Sequence, residues 1–254
     1  MPSSELKICD VSPTITTFST PFNRFAPFGY RRFVAVDNRA TAILLHDDRI
    51  LLLNPIQLED AVRDKLNGLG GVHLIASDLG HHIKRKDVNW NYICKDWRTS
   101  PEDQFDFAQD FETVLFEGFI TYCVAWYHKP TKTLIQSDLV MNLPFTEQYH
   151  PSSSDQGPLS REFTKRARPR SIWAKRLVYY IATVDYTLMR RDAKKVAEWQ
   201  MDRIIPCHGD VLEIGGNEAW SSVYEWFLKG TAKPSVIKRL MNPIMKVARR
   251  VFLM

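Results

Sequence analysis

Three polar clusters in the sequence each follow a short apolar segment. They are Asp78 with His81 and His82, then Asp138, and finally His208 with Asp210. Reactive groups gather at strand ends in α/β sheets, where the rigid sheet aims short loops into a crevice. His and Asp together are typical ligands for a borderline cation such as zinc. Three such ligands leave a position open for water, which the metal would convert to hydroxide near neutral pH.

Each of these residues also has a purely structural interpretation. Adjacent His81 and His82 can simply be one buried and one exposed side chain. A lone Asp after a strand often caps a turn or a helix. His208 precedes Gly209 and could serve only to stabilise a turn. The interpretation as one site therefore requires that the strands before the three clusters be neighbours.

The first half of the chain predicts elements that lead into the first cluster. Ala40–Leu45 and Ile50–Leu53 are apolar runs joined by four polar residues, which predicts a β-hairpin. Gln57 to Leu66 has leucine, valine and charge at helical spacing. Val72–Ala76 has the composition of a short buried strand and runs into Asp78. Residues 1–30 are polar and interrupted by proline, so no element is predicted there, whereas Tyr30 to Val36 has the composition of a strand.

The second half places the other two clusters after further strands. Strands are predicted at Val114–Phe116, Phe119–Trp126, Thr133–Ser137 and Arg203–Pro206. Helices are predicted at Ser171–Leu188, Arg191–Gln200 and Gly215–Gly230. Residues 142–170 are rich in proline and serine, which predicts a loop that is either a lid or disordered.

Composition limits the classes of protein to consider. The 254 residues are 44% apolar and 25% charged, as in ordinary soluble domains, and a core of this size needs no disulfide. A net charge of +5 does not by itself indicate nucleic acid. The four cysteines form no C-x-x-C pair, which argues against a zinc ribbon and favours buried thiols in a reducing compartment. The start of the chain has no secretory pattern, and no apolar stretch is long enough to span a membrane, so we expect a cytoplasmic protein.

The last 22 residues, 233–254, carry six Lys or Arg and no acid, with apolar residues at three- and four-residue steps. They predict a basic amphipathic helix, kinked at Pro243, that packs on a domain formed by residues 1–232. The alternative is weak contact of this helix with an anionic membrane surface.

The order of these elements resembles the metallo-β-lactamase fold superfamily over roughly residues 30–230. Ala40 to Val88 resembles its opening elements and metal-motif loop, and Ser137-Asp138 resembles the strand end that delivers its bridging aspartate. The segment Ile204 to Gly209 resembles the late strand that ends in its final histidine ligand. The resemblance implies an α/β fold, a four-layer αββα sandwich.

The metal motif departs from the superfamily pattern H-x-H-x-D-H. Aligned on its last histidine at His81, this chain has Ala76, Asp78 and Gly80 at the earlier positions. The histidine expected about twenty residues before the bridging aspartate is also missing, and Glu117 lies near that place. His128 is closer to Asp138, but lies in a predicted hairpin turn. The chain therefore resembles a branch of the superfamily with a degenerate motif. The resemblance implies one divalent metal, zinc being the best suited, bound by His81 or His82 with Asp138 and His208, or no metal at all.

Three functions remain open at this point. The first is a mononuclear metal-dependent hydrolase or lyase of a small acyl, lactone or thioester compound, with Asp78 or Asp210 as proton carrier. The second is a metal-free isomerase or cyclase that uses Asp78, His81 and His208 as acid and base, with walls from Trp90, Tyr92, Trp97 and Trp173. The third is a binding protein that has lost the chemistry. The expected partner is a small molecule, and nucleic acid is not expected, because no basic and aromatic binding surface stands out.

Overall fold

The computed structural model describes residues 6–22, 36–78, 90–93, 99–144, 147, 162 and 165–231. Two β-sheets and flanking helices make up this part of the chain. None of the helices in these ranges is both long and apolar enough to cross a bilayer.

The first sheet has six strands in sequential order. They are β1 (Lys7–Ser12), β2 (Ile15–Phe22), β3 (Val36–Leu44), β4 (Ile50–Leu53), β5 (Leu74–Ser77) and β6 (Tyr92–Ile93). Strands β1 to β4 pair antiparallel, whereas β4–β5 and β5–β6 pair parallel. Because β4 and β5 are parallel, the crossover between them carries a helix, α1 (Asp60–Gly68).

The second sheet has four strands in the order β10-β9-β8-β7. They are β7 (Phe111–Phe116), β8 (Cys123–His128), β9 (Thr133–Gln136) and β10 (Arg203–Pro206). Strand β10 is parallel to β9, and the other pairs are antiparallel. Further helices among the described residues are α2 (Pro101–Gln104), α3 (Ile172–Arg176), a π-helical turn (Leu177–Ala182), α4 (Tyr186–Ala197), α5 (Gly216–Val223) and α6 (Glu225–Lys229).

Alternation along the strands builds four layers. In β4, Ile50 and Leu52 pack in the cluster that includes α1, whereas Leu51 and Leu53 pack between the sheets. In β10, Ile205 faces the first sheet and Ile204 faces the helices α4 and α5. Side chains two positions apart share a face of a strand, so each sheet separates two apolar cores. The result is the predicted αββα sandwich.

The predicted elements are confirmed at the hairpin β3–β4, at α1 and at strands β5, β7, β9 and β10. The N-terminal strands β1 and β2 were not predicted. Their polar composition hides the pattern, because Thr16, Thr17 and Ser19 are themselves buried. The predicted strand Tyr30–Val36 and the predicted helix in residues 233–254 lie outside the described residues, apart from Val36 in β3.

Three predicted elements were wrong in extent. The helix predicted at Gly215–Gly230 is two helices, α5 and α6, separated at Tyr224. The predicted helix Ser171–Leu188 is interrupted at Thr183, whose extended backbone forms a bridge with Phe119. Asp185 then starts α4 as its N-cap, since its carboxylate accepts hydrogen bonds from two backbone N–H groups of the first turn. The predicted strand at Phe119 begins only at Cys123, because Tyr122 has a positive φ of 51°.

Candidate functional site

Asp138 and His208 meet at one edge of the second sheet. Strands β9 and β10 are parallel neighbours, so their carboxyl ends lie side by side, and Asp138 and His208 follow those ends. Asp138 Oδ1 lies 3.2 Å from His208 Nε2. The His208 side chain is only 2% exposed and that of Asp138 is 17% exposed. The pair is therefore largely shielded from water, and Asp138 is the more accessible of the two.

Asp78 joins this edge from the first sheet. It follows β5, is buried, and its Oδ2 accepts a short hydrogen bond from the Ser137 hydroxyl. Because Ser137 immediately precedes Asp138, this bond connects the end of β5 with the end of β9. The structure thus brings together one described residue from each of the three predicted clusters.

The segment that carries Asp138 is held by Gln136 and Tyr224. Gln136 Oε1 accepts from the backbone N–H groups of Leu139 at 2.7 Å and Val140 at 3.2 Å, and Gln136 Nε2 donates to the Val140 carbonyl at 2.7 Å. The buried Tyr224 hydroxyl donates to the Leu139 carbonyl at 3.0 Å. These bonds determine the path of the backbone directly after Asp138.

Thr121 and Cys123 contact Asp138 from the start of β8. The Thr121 hydroxyl donates to Asp138 Oδ2 at 3.1 Å and lies 3.1 Å from Cys123 Sγ. Cys123 Sγ is also 3.6 Å from the Ser137 hydroxyl and 4.0 Å from Asp138 Oδ2. Burial raises the pKa of the Cys123 thiol well above its usual range, and the nearby carboxylates of Asp78 and Asp138 raise it further. The thiol is therefore neutral at physiological pH.

Arg39 of the first sheet holds the turn that carries His208. This buried guanidinium donates from Nη1 to the carbonyls of Pro206 and Gly209, each at 2.8 Å. Its Nε donates to Ser19 Oγ at 3.0 Å, and its Nη2 lies 2.9 Å from Glu147 Oε2. Because the two carbonyls bracket His208, the guanidinium acts as a clamp on this turn.

Gly209 itself is required by the geometry of the turn. Its φ is +105°, and a Cβ at this position would fall against the Asn142 carbonyl oxygen. The backbone of the turn and the segment around Asn142 approach this closely because Asp210 N–H donates to that same carbonyl at 2.8 Å. Only glycine fits such an approach without strain.

Asp210, predicted as a proton carrier, is half-buried next to this turn. Its Oδ1 accepts from the backbone N–H of Glu147 at 2.8 Å, and Glu147 Oε1 accepts in turn from Val211 N–H at 3.0 Å. Burial raises the pKa of Glu147, although Arg39 opposes the shift. Asp210 thus connects the end of β10 to Glu147.

Two residues considered as possible ligands from the sequence, His128 and Glu117, lie away from this site. His128 is not in a turn: it ends β8, is buried, and pairs with Thr133 at the start of β9. Since Asp138 follows the other end of β9, His128 lies at the opposite edge of the sheet. Glu117 forms a surface ion pair with Arg191 at 3.3 Å.

The aromatic residues proposed as pocket walls lie in different environments. Tyr92 is a core residue between the sheets, packed edge-on against Trp126 at a centroid distance of 6.2 Å. Trp173 is exposed on α3, and Trp90 is half-buried. Trp97 lies outside the described residues. The prediction of buried cysteines is correct for Cys123 and Cys207 but wrong for Cys9, which is exposed.

The donor atoms of Asp138 and His208 fit a shared metal ion. Two ligands about 2.0–2.1 Å from a tetrahedral zinc are about 3.3 Å apart, close to the 3.2 Å between Asp138 Oδ1 and His208 Nε2. Within the ranges that the structure describes, no three His, Cys, Asp or Glu side chains are grouped as a metal site. His81 and His82, which the resemblance implies as the third ligand, lie outside those ranges, so their part in a metal site stays a prediction.

No protein-family model matches the sequence, and no curated protein matches it. Solved structures do match. A metallo-β-lactamase from Erythrobacter litoralis aligns with a TM-score of 0.53 at 9% identity, over 90% of this chain and 99% of that one. The protein VMB-1 aligns with a TM-score of 0.53 at 9% identity, over 91% of this chain and all of the other. A flavoprotein from Thermotoga maritima aligns with a TM-score of 0.53 at 12% identity, over 92% of this chain but 63% of the flavoprotein.

At these identities, the similarity concerns the fold. The two sheets, their flanking helices and these structural neighbours establish that the chain has the metallo-β-lactamase fold, as the resemblance predicted.

Proposed function

We propose that this protein is a hydrolase or lyase of small acyl compounds, such as thioesters or lactones, that uses one divalent metal ion. The ion would be held by Asp138, His208 and either His81 or His82, with zinc as the best-suited metal. The observation that supports this most is the pairing of Asp138 Oδ1 with His208 Nε2 at 3.2 Å, at the joined ends of two parallel strands. One neighbour of the same fold, the protein from Erythrobacter litoralis, is a metallo-β-lactamase.

When bound, the metal would polarise the carbonyl of the substrate and lower the pKa of a bound water. The residues of the chain have separate tasks around it. Asp78 is buried and bonded to Ser137, which suits it to hold the Asp138 segment. Asp210 is half-buried next to His208, so it is the better candidate of the two for moving a proton between the site and solvent.

A metal-free enzyme is the second candidate, and two observations favour it. Ala76 and Asp78 occupy the positions of the first two histidines of the metal motif, so a two-metal clamp is incomplete. A separation of 3.2 Å also lets Asp138 orient the His208 ring directly. In this case His208 would act as the acid or base in an isomerisation or cyclisation.

Elemental analysis of untreated protein distinguishes the two. We expect about one zinc, manganese or iron per chain, retained by wild type and lost in His208→Ala and in Asp138→Ala. His46→Ala is a matched control, because His46 pairs with Asp110 at 2.7 Å, away from this strand end. Protein that contains no metal and gains none on addition would contradict the metal hypothesis. Chelator-treated protein that still converts a substrate would support the metal-free enzyme.

A further inference from the structure

The segment 165–176, which leads into and includes α3, forms a strongly basic surface. It contains six Lys or Arg and no acidic residue. Of these, Lys175 is half-buried and the other five are exposed. The span from Glu162 to Arg176 carries a net charge of +5, equal to that of the whole chain. The segment 165–176, which we call the α3 surface, is thus one of two strongly basic segments of the chain, and the other is 233–254.

Acidic residues neutralise only part of the α3 surface. Glu162 pairs with Lys165 at 3.2 Å and with Arg166 at 3.0 Å. Glu225 of α6 forms a close ion pair with Lys175. The two Glu162 pairs are exposed, and such pairs are weak and screened by salt. The surface therefore presents a positive field to solvent.

Large apolar side chains are exposed within the same region. Ile172 and Trp173 of α3 are 46% and 45% exposed, and Ile181 of the π-helical turn is 60% exposed. These are three of the six large apolar side chains that are exposed in the described part of the chain. Single exposed apolar residues are ordinary, but their concentration beside a basic segment is not.

The ring of Trp173 is already engaged by arginine. The guanidinium carbons of Arg166 and Arg176 lie 5.1 Å and 5.0 Å from its centroid, within cation–π range. These contacts hold both guanidinium groups next to the exposed indole.

We propose that the α3 surface docks this protein on a membrane that contains anionic phospholipids. Lys and Arg are attracted to anionic headgroups, and exposed Trp and Ile gain free energy at the boundary between headgroups and acyl chains. Trp is enriched at that boundary. Nucleic acid fits less well, because phosphates and bases offer the aliphatic side chains of Ile172 and Ile181 no apolar environment. The proposal does not depend on the metal or on catalysis.

Flotation of the full-length chain with lipid vesicles tests this proposal. We expect binding to vesicles of equimolar phosphatidylcholine and phosphatidylserine, little binding to phosphatidylcholine alone, and release as salt is raised. The double variant Ile172→Ser/Ile181→Ser should weaken binding by about tenfold, because it removes the apolar contact and leaves the charge unchanged. Arg168→Glu/Arg170→Glu should weaken it at least as much.

A matched control changes the same charge elsewhere. Lys194→Glu/Lys195→Glu alters two exposed lysines of α4 and should retain most of the binding. Wild-type binding in both α3-surface variants would overturn the proposal and point to another segment, such as residues 233–254. Equal losses in the control would mean that vesicle binding depends only on net charge, and would overturn the proposal as well. Binding of a fluorescent single-stranded oligonucleotide without binding of anionic vesicles would assign the surface to nucleic acid.

Discussion

Thr121 donates a hydrogen bond of 3.1 Å to one carboxylate oxygen of Asp138, and the other oxygen of that carboxylate lies 3.2 Å from His208 Nε2. Thr121 therefore helps to orient the Asp138 carboxylate toward His208. Partners of this kind orient metal ligands in many sites and affect affinity without touching the metal.

Thr121→Val should weaken metal binding by about tenfold or more, because it removes the donor while keeping the side-chain volume. Thr121→Ser keeps the hydroxyl and should stay close to wild type. Competition with a chromophoric chelator measures both affinities. Equal affinities in wild type and Thr121→Val would mean that Asp138 is held without this hydrogen bond.

Gly209→Ala should destabilise the protein more than Gly70→Ala. The two glycines have nearly the same φ, +105° and +107°, so the backbone strain of an alanine is similar at both. A Cβ at Gly70 meets nothing within 4 Å, whereas at Gly209 it falls against the Asn142 carbonyl. We expect the free energy of unfolding to fall by about 2 kcal/mol more for Gly209→Ala. Urea unfolding measures the difference, and equal losses would contradict the close approach.

Arg39→Met should lower the free energy of unfolding by about 3 kcal/mol, because it leaves the buried carbonyls of Pro206 and Gly209 without their donor. Glu147→Gln serves as the control. The Glu147 side chain is 43% exposed, and an amide can still accept from Arg39. Its NH2 group cannot accept from the Val211 N–H, but that bond is exposed and water can replace it, so the loss should stay below about 1 kcal/mol. A mild effect of Arg39→Met would show that the His208 turn does not depend on the clamp.

His128 should make stability fall as the solution becomes more acidic. Burial lowers the pKa of His128 in the folded protein from 6.5 to about 4, although the charge of Asp110 opposes the shift. The unfolded chain therefore takes up a proton below pH 6.5 that the folded protein accepts only near pH 4. The contribution of His128 to the free energy of unfolding is complete above pH 6.5. It is lost as the pH falls from 6.5 to about 4, by up to about 3 kcal/mol.

His128→Gln removes this titration and can keep the hydrogen bond to Thr131, which is 2.7 Å long in wild type. Urea unfolding of both proteins between pH 7.5 and 4.5 should give a shallower pH dependence for the variant. The comparison uses the slope, so an overall loss of stability in His128→Gln does not affect it. Parallel slopes would contradict the lowered pKa.

Several residues of the candidate site can be predicted from the sequence. Asp78, Asp138 and His208 each end an apolar strand-like segment, and this local pattern is present in the sequence alone. Their convergence was a prediction from the resemblance, and it required the parallel pairing of β9 with β10. His81 and His82 lie outside the described residues, so their part in the site stays a prediction.

Thr121, Cys123, Ser137 and Arg39 were missed as parts of the site because no local pattern marks them. A threonine or a buried cysteine has many structural uses, and only the packing of β8 against β9 places Thr121 and Cys123 beside Asp138. The basic and aromatic surface at α3 was missed for a related reason. Whether Trp173 is core or surface depends on which face of a short helix is covered.

Sequence alone determined what depends on neighbours along the chain. Short apolar runs at β4, β9 and β10 predict strands buried on both faces, and the order of the elements carries the resemblance that implied the layered αββα fold. Tertiary structure alone decided what depends on distant segments. The bond from Ser137 to Asp78, the Arg39 clamp on His208 and the approach of Thr121 to Asp138 all join residues from different strands or sheets. Such contacts follow from strand order and register, because the side chains involved carry no periodicity of their own.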